Sequence, residues 1–224
     1  MSIDPISRDV FQHEVVSIAE EMSVALRRSA FSAIIWDMID YACGLLDSEG
    51  NTIAQAPTIP AQLGIMSTAF RHMIRAIPLS EWHEGDVIIC NDPYLGCTHT
   101  PDLVLFSPVW FEGRIIAITS TVAHHIDVGG RVPGSESATA LELYEEGLII
   151  PPLKLFDRGK PNETFFRIFA RNVRDPKAST GDINAQVAAC RTGERRLKEL
   201  AEKYGAEGFA RHVAAVFDYS ETYL

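Results

Sequence analysis

His99 and Asp102 are separated by two residues in "GCTHTPDLVLFSPVW", and His124 opens the histidine pair of "AHHIDVGGRVPGS". Two imidazoles and a carboxylate gathered at one point suit a borderline or hard divalent cation, with room left for water. The intervening text supplies a way to gather them. "LVLFSPVWFEGRIIAITSTVAHH" reads as two strands joined at Glu112–Gly113, so residue 102 falls opposite 123 or 124 if no bulge intervenes. Directly paired cross-strand side chains lie about 5 Å apart. His125 and Asp127 could then orient a ligand through its second ring nitrogen, or move a proton. Spacing alone leaves this trio equally compatible with a metal centre and with a coincidence of loops. The chain has seven histidines. His13, His72, His83 and His212 fall on helix or loop text and read as surface or locally satisfied. Asp92, before Pro93, reads as a turn former.

The elements that must hold these residues follow from period and punctuation. Asp4–Pro5 is a helix start. Beyond it Phe11, Val15, Ile18, Met22, Ala25 and Ala30 recur close to one helical face, a stripe that reads as core. "DYACGLLDSEGNTIAQA" reads as a hairpin turning at Asp47–Asn51, and residues 66 to 77 as a second helix. "GDVIICNDP" is a buried strand stopped by Asn-Asp-Pro. "DVGGRVPGSESA" is loop, and "EEGLIIPPLKLFDRGKP" is extended with a Pro-Pro break. From about residue 163 the text is helical in three pieces, the last two meeting at Gly205. The fold expected is one α+β domain over 1–224, with antiparallel hairpins forming a mixed sheet and helices at the N- and C-terminal ends.

Composition narrows the function. Of 224 residues 46% are apolar and 22% charged, which is ordinary for a globular chain with a substantial core. A net charge of −10 without a basic patch argues against nucleic acid as a partner. Cys43, Cys90, Cys97 and Cys190 form no CxxC pair, the opening text has no secretory h-region, and no apolar run approaches the roughly 18 residues of a membrane span. The expectation is a soluble, cytoplasmic protein away from membranes. No GxSxG, GxxxxGK[ST] or GxGxxG motif occurs, so any nucleotide chemistry is not legible here.

In their order, "DYACGLLDSEGNTIAQA", "IPAQLGIMSTA", "GDVIICNDPYLGCTHTPDLVLFSPVW", "AHHIDVGGRVPGS", "EEGLIIPPLKL", "NVRDP", "GDINAQVAA" and "GERRL" resemble the hydantoinase B/oxoprolinase family, over its N-terminal part. The family includes B subunits of ATP-dependent hydantoinases, 5-oxoprolinases and caprolactamase, and related subunits of acetone and acetophenone carboxylases. The resemblance implies metal ligands at His99, Asp102 and His124, with Asp40 as a fourth; from the residues alone Asp40 and Asp37 are indistinguishable turn or cap candidates. It implies one divalent ion; two imidazoles with two carboxylates suit zinc, manganese or iron, with zinc expected for an amide hydrolase and manganese for a carboxylase. It further implies a separate hydantoinase A-type ATPase subunit that uses ATP, a hetero-oligomer, and a small cyclic amide as substrate. His125 and Asp127 are candidates for catalysis. Gly129, Gly130, Gly134 and Ser135 are candidates for close backbone approach to substrate. Two positions depart from the family pattern: Cys97 stands at a usual glycine, and Gln62 at a usual histidine, where it can hydrogen-bond but not shuttle a proton. The function expected is the metal-dependent B subunit of an ATP-dependent cyclic amide hydrolase. The alternatives are a ketone carboxylase subunit and a non-catalytic paralogue that binds the A subunit.

Overall fold

The structure, a computed structural model, describes residues 3–222. Helix α1, Pro5–Ser29, begins where the Asp4 carboxylate accepts the Ser7 amide at 3.1 Å and the Ser7 hydroxyl at 2.6 Å. Pro5 sits where no amide donor is required. Phe11, Val15, Ile18, Met22 and Leu26 are buried, so the core stripe closes on Leu26 rather than Ala25. A single turn, α2 (Ala33–Trp36), hands the chain to strand β1, Tyr41–Leu46. The link passes through Ile39 at φ 60°, a left-handed conformation that costs a β-branched residue on the order of 1–3 kcal/mol.

The remaining strands are β2 (Thr52–Gln55), β3 (Val87–Cys90), β4 (Asp102–Phe111), β5 (Arg114–His124), β6 (Leu153–Asp157) and β7 (Lys160–Pro161). They form one sheet in the order β2-β1-β5-β4-β3-β6-β7, and every described pairing is antiparallel. Helix α3, Pro60–Ala76, covers one face of the sheet. There Ile65, Met66, Ala69, Phe70 and Met73 pack on Ala42, Leu46, Ile88, Val104, Phe106 and Val122. Phe70 meets the Trp82 and Phe106 rings at 5.9 and 5.4 Å, pairs worth about 0.5–1.5 kcal/mol each beyond their area. Helices α1, α4 (Glu163–Asn172) and α5 (Pro176–Thr222) cover the other face, against Cys43, Leu45, Val87, Ile89, Leu103, Leu105 and Ala123. The α+β class and the terminal helices are those expected from the sequence.

Two boundaries differ from expectation. α3 starts at Pro60, not residue 66, because proline is at home in a first helical turn and Gly64 is tolerated inside it. In α5 the expected break is a kink at Gly205, φ 69°, between two helical stretches.

The β4–β5 hairpin fixes the site. Its tip, Glu112 (φ 49°) and Gly113 (φ 75°), takes the left-handed torsions that match the twist of paired strands. Near the tip Phe111 pairs with Arg114 and Trp110 with Ile115, but Val109 pairs with Ala117, so Ile116 is an extra residue in β5. The bulge moves the ladder by one, and Asp102 pairs with His124 instead of Ala123.

Candidate metal centre

Period-two alternation sends Asp102 and His124 to the α3 face, at the open end of the hairpin. Next to them β1 pairs with β5 through Tyr41 and Ala123, and the amide of His124 donates to the Asp40 carbonyl at 3.0 Å. Asp40, His124 and Asp102 thus lie level across three adjacent strands. His99 joins from the turn before β4, where its carbonyl accepts the Asp102 amide at 3.2 Å. Asp102 Oδ1 lies 3.0 Å from His99 Nε2 and 3.2 Å from His124 Nδ1, and Asp40 Oδ2 lies 3.8 Å from His124 Nδ1. The ligand atoms of His99, Asp102 and His124 all fall within 4.8 Å of one another. Asp37, the alternative to Asp40, is exposed at the end of α2.

One observation tests whether a cation fits. Asp102 Oδ1 is buried and accepts no properly directed hydrogen bond, despite the two imidazole nitrogens at contact distance. Both ring nitrogens come close, but neither directs a hydrogen bond at the oxygen, and an N–H aimed elsewhere satisfies nothing. Nitrogen and oxygen atoms that converge without bonding to each other match the donor set of a divalent ion. Asp102 keeps its other oxygen occupied: the Thr98 hydroxyl donates to Oδ2. Gln62 Nε2 likewise donates to Asp40 Oδ1 at 2.7 Å, from the first turn of α3. A cavity of about 290 Å³ opens over the cluster, with Ile34, Met38 and Ile59 as its apolar wall.

The three groups are shifted in different directions, and only Asp102 is held in the ionised form that a ligand needs. Burial pushes the Asp102 carboxyl up, yet the facing His124, His99 and Thr98 hold it well below the usual carboxylate range. Partial burial raises Asp40, against the pull of His124. Asp102 raises His99 above the usual imidazole value, against partial burial. A second acidic-imidazole group, His83 with Asp86 and Asp157, already holds a cation. The Lys154 ammonium lies 2.8 Å from Asp86 and 3.3 Å from Asp157.

The structure does not bring His125 or Asp127 to the cavity. Neighbours along a strand point to opposite faces, so His125 turns away from His124 into the layer under α5. There it is fully buried and its Nε2 meets Gln186 Oε1 at 2.9 Å. Burial lowers its pKa. Asp127 binds its own loop instead. Its oxygens accept from the amides of Gly129 (2.9 Å), Gly134 (3.2 Å) and Arg174 (3.0 Å) and from the Arg174 guanidinium (2.7 Å). Against the upward push of burial, these donors hold its carboxyl below the usual range.

Gly129 and Gly130 serve loop packing, since a Cβ on Gly130 would sit 2.5 Å from the Glu145 carbonyl and one on Gly129 would sit 2.6 Å from that of Asn172. Gly134 takes φ 83° in the same turn. Ser135 is buried, and its hydroxyl donates to the Gly129 carbonyl and accepts the Val128 amide, both at 2.8 Å. Cys97 lies buried in the α3 layer, where contact with Cys90 and burial push its thiol up. Three residues near the candidate ligands are not found by the sequence reading: Thr98, Glu136, and Gln62 as a partner of Asp40. Thr98 was within reach as a hydroxyl flanking the HxxD motif. Glu136 comes near His99 only through the fold of the loop before it.

A family model described as Hydantoinase B/oxoprolinase matches residues 4–224. An uncharacterised protein of Methanocaldococcus jannaschii is 42% identical over 224 residues, covering 99% of this chain and 40% of that one. The caprolactamase subunit beta of Pseudomonas jessenii is 33% identical over 100% of this chain and 38% of its own length. The crystal structure of ATP-dependent caprolactamase from Pseudomonas jessenii superposes with a TM-score of 0.93 at 32% identity, covering 100% of this chain and 38% of that one. The nucleotide-free acetone carboxylase superposes at 0.89 with 21% identity over 95% of this chain and 28% of that one, a likeness of fold. The chain therefore spans about two fifths of the length of the curated relatives named.

Proposed function

This chain belongs to the hydantoinase B/oxoprolinase family, and from that premise we propose that it carries the metal centre of a B-type subunit in an ATP-dependent cyclic amide hydrolase. The single observation that carries the metal reading is the buried, undonated Oδ1 of Asp102 with two imidazole nitrogens and Asp40 around it. His99, Asp102, His124 and Asp40 would hold one divalent ion. Bound there, such an ion would act as a Lewis acid toward a substrate or water oxygen. Two imidazoles with two carboxylates accept zinc or manganese, and zinc is our choice for the hydrolase.

The chain's own groups prepare this position. Gln62 fixes the direction of the Asp40 carboxylate, and Thr98 that of Asp102. Ile34, Met38 and Ile59 limit water on one side of the cavity, which strengthens electrostatic contacts inside it. We assign the ATP step to a separate hydantoinase A-type ATPase subunit, in a hetero-oligomer. The relative is named a subunit beta, and the solved relative is titled an ATP-dependent caprolactamase. Phosphorylation of the amide oxygen would make the carbonyl carbon electrophilic enough for water to add. The ring C–N bond would then break to leave an acyl phosphate, which a second water would hydrolyse to carboxylate and phosphate. Transfer inside a complex would protect the phosphorylated amide until it reaches that site. Four free buried cysteines accord with a reducing cytoplasm, and no described helix is long and apolar enough to cross a membrane.

The test is elemental analysis of purified wild type and His99→Ala. Close to one equivalent of metal in wild type and most of it gone in the variant is the expected result; equal metal content in both sinks the assignment. With the ATPase partner added, ATP-dependent opening of hydantoin, 5-oxoproline or caprolactam is expected. Turnover of ketone plus bicarbonate alone would move the protein to the carboxylase reading.

A further inference from the structure

We propose that Glu136 is a positioning residue for the metal centre: its carboxylate accepts the Nδ1 hydrogen of His99 and so holds the ring with Nε2 turned to the ion. The inference rests on the metal reading above. Its first support is how His99 is shared. Nε2 lies 3.0 Å from Asp102 Oδ1, and Nδ1 lies 3.6 Å from Glu136 Oε1. A neutral imidazole that gives one nitrogen lone pair to a cation carries its hydrogen on the other nitrogen, and that hydrogen needs an acceptor. Among the described residues Nδ1 has no hydrogen bond, and Glu136 is the carboxylate facing it.

The second support is place. His99 and Glu136 both line the cavity over the ligands, and both line a neighbouring cavity of about 480 Å³, so their pairing forms a wall between the two. Third, the backbone that presents Glu136 is fixed. Ser135, one residue before it, is 1% exposed at φ 62°, and its hydroxyl is bonded at both ends. Asp127 and Arg174 clamp the start of the same loop. This accounts for the glycine-rich segment in a way that substrate contact does not: it is a rigid arm carrying one carboxylate to one ring nitrogen. The present gap exceeds a hydrogen bond by about 0.5 Å. The Glu136 side chain, 64% exposed, is free to close it.

Outer partners of metal-bound histidines are worth roughly 10- to 100-fold in metal affinity, and solvent around Glu136 puts the effect at the low end, about tenfold. The experiment is zinc affinity by chelator competition for wild type, Glu136→Ala, Glu136→Gln and His99→Ala, with the melting temperature of each metal-free protein. We expect Glu136→Ala to bind about tenfold more weakly at an unchanged metal-free melting temperature. Glu136→Gln keeps an acceptor oxygen and should recover to within about threefold of wild type. Wild-type affinity in Glu136→Ala while His99→Ala has lost zinc would overturn the role of Glu136 and leave the metal reading standing. A Glu136→Gln as weak as Glu136→Ala would overturn the acceptor role. Wild-type affinity in His99→Ala would overturn the metal reading, and this inference with it.

Discussion

Replacing Gln62 by leucine separates the stability of the protein from its hold on metal. Gln62 is 4% exposed, and its Nε2 donates to Asp40 Oδ1 at 2.7 Å, while its Oε1 is buried without a partner. Leucine removes both groups at similar volume. Loss of a hydrogen bond to a charged acceptor costs about 1.5–3 kcal/mol, and the 28% exposure of the Asp40 side chain lets water recover part of it. Removing an orphaned buried oxygen returns about 1–3 kcal/mol. The two nearly offset, so metal-free stability should change by less than about 1 kcal/mol, a shift of roughly 2–4 °C at this size. Metal affinity has no such compensation, because Asp40 loses the donor that aims it. A fall of about 10- to 100-fold is expected, equal to roughly 1.4–2.7 kcal/mol. Calorimetric unfolding in chelator gives the first quantity and zinc competition the second. Unchanged zinc affinity would refute the aiming role. A loss of more than about 3 kcal/mol without metal would show that Gln62 holds the fold instead.

Acid should loosen the metal-free protein through its buried carboxylates. Asp86 and Asp127 have lowered folded-state pKa values, so their stabilisation is complete above the unfolded value near 3.8 and is lost as pH falls through the folded values. Melting temperature followed below about pH 4 should drop, with a shallower drop in Asp86→Asn; parallel curves would count against this account. His125→Leu strands the Gln186 oxygen and should cost about 1–3 kcal/mol while leaving zinc content intact. A folded variant without metal would return His125 to the site.

The proposed ligands were legible in the sequence to the extent that they obey strand geometry. HxxD at the head of one strand and AHH at the tail of the next place His99, Asp102 and His124 within one residue of the truth, and the bulge at Ile116 decides that residue. The same geometry was available for His125. Adjacent strand residues point to opposite faces, so a ligand at His124 already sends His125 toward α5. Asp127 looked chemical because it is acidic and close by, but its four donors come from its own loop and from Arg174, far along the chain. Asp40 and Asp37 could not be told apart until Ile39 turned one of them inward. Glu136 was illegible for a simpler reason: its meeting with His99 depends on loop torsions that leave no periodic trace in the text.

The bulge at Ile116 makes the β4–β5 hairpin behave like a reading frame. Residues added at the exposed tip, between Glu112 and Gly113, fall outside the ladder and leave Asp102 opposite His124. Removal of Ile116, only a few positions away, returns Ala123 to that place and turns His124 toward α5. Composition, charge and the two motifs would all survive such a deletion, and an alignment would score it as a single gap. The proposed metal site would be broken all the same. Length change in this hairpin is therefore silent at the tip and disabling at Ile116, and a homologue should be judged by that count before its motifs are trusted.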